Sequence, residues 1–144
     1  MIKTIKYGDD IKVLRPFIAN SVIIQSFLAE YNSLNSIDLY FSLYKNKNHN
    51  YNIEINIIDN TETVFFNKVL DCNDIYKTGY FRIGTDLFLT KDKVYYLYIT
   101  CLGGGDSMNK FSFVSGYRTK MEQLFIDGES SLGELCVNFN YEVK

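Results

Sequence analysis

Apolar and polar residues alternate along much of the chain, a pattern typical of strands that bury one face and expose the other. The clearest runs are residues 37–44, 51–57, 94–101 and 135–141. In the third of these, Tyr95, Leu97, Ile99 and Cys101 share one face. Weaker strand candidates are residues 22–29, 64–70, 79–83, 110–115 and 123–126.

Turn-forming residues separate these runs. They form a polar loop at 45–50, a tight turn at 59–61, an Asp127-Gly128 turn and a glycine-rich loop at 102–108. No stretch combines helical periodicity with a capping residue. About nine or ten short strands in one chain predict an all-β fold, an antiparallel β-sandwich of the jelly-roll type.

The length of 144 residues predicts a single sandwich domain that spans residues 1–144. Residues 1–20 precede the first clear run. We therefore expect them to form a lead-in strand or an arm, followed by a core sandwich over residues 21–144.

Charge and hydropathy exclude two classes of partner. Fifteen Lys and Arg against seventeen Asp and Glu give a net charge of −2, without the clustered cations that nucleic acids require. No window reaches the roughly 18 consecutive apolar residues of a membrane span, so we expect no membrane insertion.

The cysteines and the N-terminus bear on location. Cys72, Cys101 and Cys136 are far apart and lack the spacing of a zinc site, so we expect three reduced thiols; one disulfide with a spare cysteine stays open. The N-terminus has no apolar signal region. Both features favour a cytoplasmic location, unless the chain is a module of a larger surface protein.

Residues suited to catalysis are few, and we expect the protein not to be an enzyme. The single histidine, His49, lies in a polar loop, and Gly103-Gly104-Gly105 lacks the Lys of a phosphate-binding loop. Asp38 and Glu54 could share a sheet face as a glycosidase pair, a weak signal. We expect no cofactor, although acidic residues leave a structural calcium site open, at Asp9, Asp10, Asp71, Asp74 and Asp86.

The outward positions of the central strands carry the strongest functional signal. They combine tyrosines with carboxylates, amides, hydroxyls and one arginine: Asp38, Tyr40, Ser42, Tyr44, Asn52, Glu54, Asn56, Tyr80, Arg82, Tyr96, Tyr98 and Thr100. Aromatic rings pack on the CH faces of sugars while planar polar groups bond their hydroxyls. The six residues predicted to bind an oligo- or polysaccharide are Asp38, Glu54 and Arg82 for hydroxyls, and Tyr40, Tyr96 and Tyr98 for stacking.

Two other interpretations of this tyrosine-rich face stay open. Cross-strand tyrosine pairs stabilise sheets without any ligand. The same face also suits a protein–protein assembly module or a homo-oligomer, because interfaces are enriched in Tyr and Arg.

Several segments resemble a jelly-roll accessory domain of bacterial surface-polysaccharide glycosyltransferases and related membrane proteins. They are residues 24–30 with Leu34, Ile37 and Leu39, residues 80–83, residues 93–95, and Gly128 with residues 133–135 and 139–141. Ser26, Lys93 and Glu134 depart from that family's usual Thr, Gly and Asp. The resemblance implies a carbohydrate-associated, non-catalytic module. Its motifs are mostly core and turn positions, apart from Gln25, which we expect to hydrogen-bond backbone at a strand edge.

Overall fold

The computed structural model describes residues 1–13, 21–43, 52–71, 74–75, 77–102, 111–117, 123–131 and 133–144. Over these ranges the chain forms two packed antiparallel sheets and no α-helix. The strands are β1 Ile2–Tyr7, β2 Asp9–Val13, β3 Val22–Leu28, β4 Ser33–Leu43, β5 Asn52–Ile58, β6 Val64–Asp71, β7 Gly79–Phe88, β8 Val94–Cys101, β9 Phe111–Tyr117, β10 Leu124–Ile126, β11 Glu129–Ser131, β12 Glu134–Leu135 and β13 Val137–Glu142.

The strand pairing is that of a long hairpin rolled up on itself. β5 pairs with β6, β4 with β7, β3 with β8 and β2 with β9. Successive pairs alternate between the sheets, so the first sheet contains the order β2-β9-β4-β7 and the second the order β3-β8-β5-β6. This is the predicted jelly roll.

The other strands extend this framework. In the first sheet β13 pairs with β4 and carries β1 on its outer side, and β12 pairs with β9. In the second sheet β10 and β11 continue from β3. Residues 1–13 are therefore strands of the sandwich. Tyr7 packs edge-on against Phe139 in the core, with ring centroids 5.1 Å apart.

The predicted strands are present, with two differences in their extent. The run at 135–141 is divided at Cys136 between β12 and β13. The run at 79–83 is only the first half of β7. Burial alternates along the whole of β7, but in its second half the polar Thr85 is half-buried and Phe88 is exposed. A register shift opposite Leu34 and Ser36, together with a positive φ of 42° at Asp86, marks a bulge there.

The core lies between the inward faces of the two sheets. Alternation along β8 is confirmed, since Tyr95, Leu97, Ile99 and Cys101 are all buried. Phe27 of the second sheet stacks on Phe139 of the first, with centroids 4.2 Å apart. Aromatic pairs of this kind add about 0.5–1.5 kcal/mol beyond the area that they bury.

Gln25 joins the two sheets by hydrogen bonds. It is fully buried on β3, where Nε2 donates to the carbonyl oxygens of Ser26 (2.9 Å) and Gln123 (3.2 Å). Its Oε1 accepts a bond of 2.8 Å from the backbone N–H of Leu135 on β12. The predicted role of Gln25 in bonding strand-edge backbone is confirmed.

Cys101 and Cys136 are buried, reduced thiols, as predicted. Burial raises the pKa of Cys136 to about 11, so this thiol is neutral at physiological pH. Cys72 and His49 lie outside the described residues. So do the loop predicted at 45–50 and all of the loop predicted at 102–108 except Leu102.

Asp59 organises the predicted turn between β5 and β6. Its Oδ1 accepts bonds from the N–H of Thr61 (2.9 Å) and of Thr63 (3.2 Å), and Oδ2 accepts a bond of 3.0 Å from Lys93 Nζ. Hydrogen bonds from Thr61 and Lys93 hold the pKa of Asp59 well below its ordinary value. The second predicted turn, at Asp127-Gly128, is also present.

We expect the turn at Asp59 to make folding stability depend on pH. A carboxyl whose folded pKa is depressed stabilises the fold above its unfolded pKa, about 3.9, and loses that contribution as the pH falls through the folded pKa. In thermal melts between pH 7 and pH 2, the melting temperature of the wild type should therefore fall more steeply with decreasing pH than that of Asp59→Asn. Asp92→Asn, in the turn before β8, is the matched control and should keep the wild-type slope.

Candidate functional site

The outward side of the first sheet carries a set of polar side chains that we call the polar face. Its members alternate with core residues along β1, β4, β7 and β13, and they are Thr4, Lys6, Ser36, Asp38, Tyr40, Tyr80, Arg82, Asn138 and Asn140. Backbone register aligns them into rows across the sheet. One row runs through Lys6, Asn138, Asp38 and Arg82, because each of these residues pairs with the next.

Asp38 and Arg82 form a two-point ion pair within this row. Arg82 Nε donates to Asp38 Oδ1 at 2.8 Å and Nη2 donates to Oδ2 at 3.2 Å. The Asp38 side chain is 10% exposed whereas that of Arg82 is 70% exposed. The pair therefore anchors an exposed guanidinium on a buried carboxylate.

Two asparagines of β13 hold the carboxylate in place. Asn140 Nδ2 donates to Asp38 Oδ2 and to Ser36 Oγ, both at 3.1 Å, and its Oδ1 accepts a bond of 2.7 Å from Thr4 Oγ1. Burial alone would raise the pKa of Asp38, but hydrogen bonds from Arg82, Asn140 and Asn138 lower it below its ordinary value. Asp38 is thus ionised at neutral pH.

Asn138 occupies the neighbouring position and is oriented by the same carboxylate. Its amide nitrogen must face Asp38, because an ionised carboxylate only accepts hydrogen bonds. Its Oδ1 is buried and has no hydrogen-bond partner among the described residues.

Tyr40 and Tyr80 form the next row of the polar face. They pair across β4 and β7, and their rings meet edge to face with centroids 5.0 Å apart and planes at 86°. Tyr80 is 39% exposed and Tyr40 is half-buried. Burial, with the nearby Cys136 thiol, raises the pKa of Tyr80, so its hydroxyl stays neutral and can both donate and accept.

The remaining predicted site residues lie on the other sheet. Glu54 on β5 and Tyr96 and Tyr98 on β8 are half-buried on the outward side of the second sheet. Asn67 Nδ2 donates to Glu54 Oε2 (3.0 Å) and to Asn56 Oδ1 (2.7 Å). Around them this face is more apolar, with Ile24, Ile58 and Phe125 half-buried and Val64, Val69 and Val94 exposed.

The six predicted residues therefore do not share one surface. Asp38, Tyr40 and Arg82 lie together on the polar face, while Glu54, Tyr96 and Tyr98 occupy the opposite outer surface of the sandwich. The expectation that Asp38 and Glu54 share a face is wrong, because β4 and β5 belong to different sheets. They cannot form the closely spaced carboxylate pair of a glycosidase.

The expected role of Asp38 also changes. Both of its oxygens already accept hydrogen bonds from Arg82 and Asn140, and the residue is 7% exposed. Asp38 therefore orients the Arg82 guanidinium and exposes little of its own carboxylate to a ligand.

Sequence reasoning missed the part that β13 and β1 contribute to the polar face. The signal was present, since Asn138 and Asn140 alternate with the core residues Val137, Phe139 and Tyr141. Their position beside Asp38 depends on the pairing of β13 with β4, which links residues about a hundred positions apart.

Among the described side chains, no three His, Cys, Asp or Glu residues come together in a group that could hold a metal ion. Of the acidic residues considered for calcium, Asp9 and Asp10 have side chains outside the described set. Within the same part of the chain, no helix is both long and apolar enough to cross a membrane. Neither a scan against models of protein families nor a comparison with curated proteins finds a match for this chain.

Proposed function

We propose that this protein is a non-catalytic carbohydrate-binding module for a bacterial surface glycan, and that the polar face is its binding site. The observation that carries the proposal is the exposed guanidinium of Arg82, held by the buried Asp38 beside the Tyr40–Tyr80 pair. The resemblance to a jelly-roll accessory domain of polysaccharide glycosyltransferases supports the same function.

The chemistry of the polar face suits a sugar ring. Tyr80 exposes part of an aromatic ring against which the CH groups of a pyranose can pack. Arg82 carries further N–H donors for ring hydroxyls. Because hydrogen bonds and ring contacts already fix both side chains, binding has little side-chain entropy to overcome.

The proposal is tested on a broad glycan array, followed by titration of the strongest ligand into variants of the polar face. Tyr80→Ala and Arg82→Gln should each weaken binding about tenfold, which corresponds to about 1.4 kcal/mol. Tyr80 is exposed, so Tyr80→Ala should change the melting temperature little. Arg82→Gln removes donors from the buried Asp38 carboxylate and should lower the melting temperature, so binding of each variant is measured well below its own melting temperature. Tyr96→Ala and Tyr98→Ala, on the second sheet, are the matched controls and should bind like the wild type.

Two results would refute this assignment. If the controls lose binding and the polar-face variants keep it, glycan binding occurs on the second sheet. If the folded wild-type protein binds no glycan on the array, the module is not a carbohydrate binder.

The second candidate function is an assembly module that uses the outer face of the second sheet. Val64 is 56% exposed, Val69 47% and Val94 37%, and they flank the half-buried Tyr96 and Tyr98. Apolar and tyrosine-rich surfaces of this kind favour packing against another chain. Light scattering after size exclusion decides the homo-oligomeric case, since assembly requires a dimer or larger species and a concentration-independent monomer excludes it.

A further inference from the structure

We propose that the glycan recognised by the polar face is acidic, and that Arg82 binds its carboxylate through the outer end of the guanidinium. This inference rests on the proposed carbohydrate-binding function and specifies the class of sugar, a uronic acid or another sugar with an exocyclic carboxylate.

The geometry of the Asp38–Arg82 pair is the first argument. Asp38 takes the side of the guanidinium that bears Nε, through Nε and one N–H of Nη2. A guanidinium has five N–H groups in a planar fork. The second Nη2 hydrogen and one Nη1 hydrogen therefore remain side by side on its outer end, while the other Nη1 hydrogen points back towards Cδ. Among the described residues, Arg82 donates only to Asp38. Two parallel donors in one plane match the two oxygens of a carboxylate.

The second argument is the way in which Asp38 is held. A carboxylate fixed by Asn140 and Arg82 prevents the guanidinium from rotating away from the orientation that presents its outer end to solvent. The pKa of Arg82 is raised by its hydrogen bonds to Asp38, so the guanidinium stays charged. Preorganised charged donors give stronger hydrogen bonds to a charged acceptor than to a neutral hydroxyl.

Charge on the polar face points the same way. The row through Lys6, Asn138, Asp38 and Arg82 contains two cations and one anion, and the anion, Asp38, is its buried member. Asp86 of β7 and Glu142 of β13 lie on the same outward side of the sheet, outside this row. Lys6 and Arg82 stand at the two ends of the row that crosses β1, β13, β4 and β7. A ligand at the β7 end of this row therefore meets the exposed charge of Arg82, although the chain as a whole has a net charge of −2.

The spacing fits one acidic sugar residue. Tyr80 and Arg82 are two positions apart on the same face of β7, which places them about 7 Å apart along the strand. A pyranose ring that packs on Tyr80 can therefore direct an exocyclic carboxylate towards Arg82.

The test compares acidic oligosaccharides with their carboxyl-reduced forms. The probes are oligogalacturonate, oligomeric alginate and hyaluronan fragments, each beside the product in which its carboxylates are reduced to alcohols. We expect reduction of the tightest-binding probe to weaken wild-type binding at least tenfold and Arg82→Gln binding less than twofold. Arg82→Lys keeps the charge but loses the planar fork. Carboxyl reduction of the probe should therefore weaken binding to this variant by a factor between those of the wild type and Arg82→Gln. Binding to the acidic form should also fall as NaCl rises from 50 to 500 mM.

Each contrary outcome has a distinct meaning. If glycans bind but carboxyl reduction has no effect, or affects wild type and Arg82→Gln equally, the acidic-sugar inference is overturned and the carbohydrate-binding function stands. If only neutral glycans on the array bind, the inference fails in the same way. If neither acidic nor neutral glycans bind to the folded protein, both proposals fail.

Discussion

Gly8→Ala is expected to destabilise the fold by about 2–5 kcal/mol, the sum of a backbone and a packing cost. Gly8 connects β1 to β2 with a φ of +77°, in the left-handed region, where a residue with a Cβ loses about 1–2 kcal/mol. A Cβ placed there would lie 2.8 Å from Cys136 Sγ and 2.9 Å from Cys136 Cα. The second contact is with backbone, so rotating a side chain cannot relieve it.

The consequences of this clash extend into the first sheet. Gly8 N–H donates to the buried Glu134 at 3.3 Å, and Cys136 separates β12 from β13. Moving β1 away from Cys136 would disturb the contact between Gly8 and Glu134. Urea unfolding measures the decrease in the free energy of unfolding of Gly8→Ala. Gly84→Ala is the matched control, since Gly84 also lies in the first sheet but a Cβ there has no neighbour within 4 Å. If the two alanine variants unfold at the same urea concentration, the close approach at Gly8 is not real.

Gln25→Leu is expected to cost about 2–3 kcal/mol of folding stability, since a buried backbone group left without a partner costs about 1–3 kcal/mol. The variant keeps the approximate volume of the side chain but removes all three hydrogen bonds. The N–H of Leu135 loses the acceptor that lies 2.8 Å away, and the carbonyls of Ser26 and Gln123 each lose a donor. Because the bond to Leu135 joins β3 to β12, the link between the two sheets weakens.

The control for this variant is Gln123→Leu. Gln123 is exposed and takes part in the same contacts through its backbone, so its side chain should be dispensable. Urea unfolding should show a near-wild-type midpoint for Gln123→Leu and a clearly lower one for Gln25→Leu. Equal midpoints would mean that Gln25 does not hold the sheets together.

Much of the fold could be predicted from sequence because one-sided strands repeat apolar residues at every second position. In β5 and β8 the alternation is unbroken, and the structure buries the predicted face of each. Prediction was weaker in the second half of β7, where burial still alternates but the polar Thr85 is half-buried and Phe88 is exposed. It was also weaker at the N-terminus, where β1 is an edge strand whose residues are mostly exposed.

The candidate site was less predictable than the fold, because alternation tells which residues face outward but not which sheet a strand joins. Asp38 and Arg82 face outward as expected and are neighbours. Tyr96 and Tyr98 face outward too, but β8 belongs to the other sheet. The burial of Asp38 could not be predicted from the sequence either. It depends on Asn140 and Arg82, which contact Asp38 only because their strands pair with β4 over long sequence distances.

The most direct test of the binding site is to map chemical-shift changes in two-dimensional ¹H–¹⁵N NMR spectra while an array-selected glycan is added. We expect the largest shifts at backbone amides of β4, β7 and β13 next to the polar face, and at the Arg82 Nε–H. The amide signals of β5 and β8 should remain unchanged. Shifts concentrated around Tyr96 and Tyr98, or none at a glycan concentration that saturates binding on the array, would contradict the assignment of the polar face as the carbohydrate site.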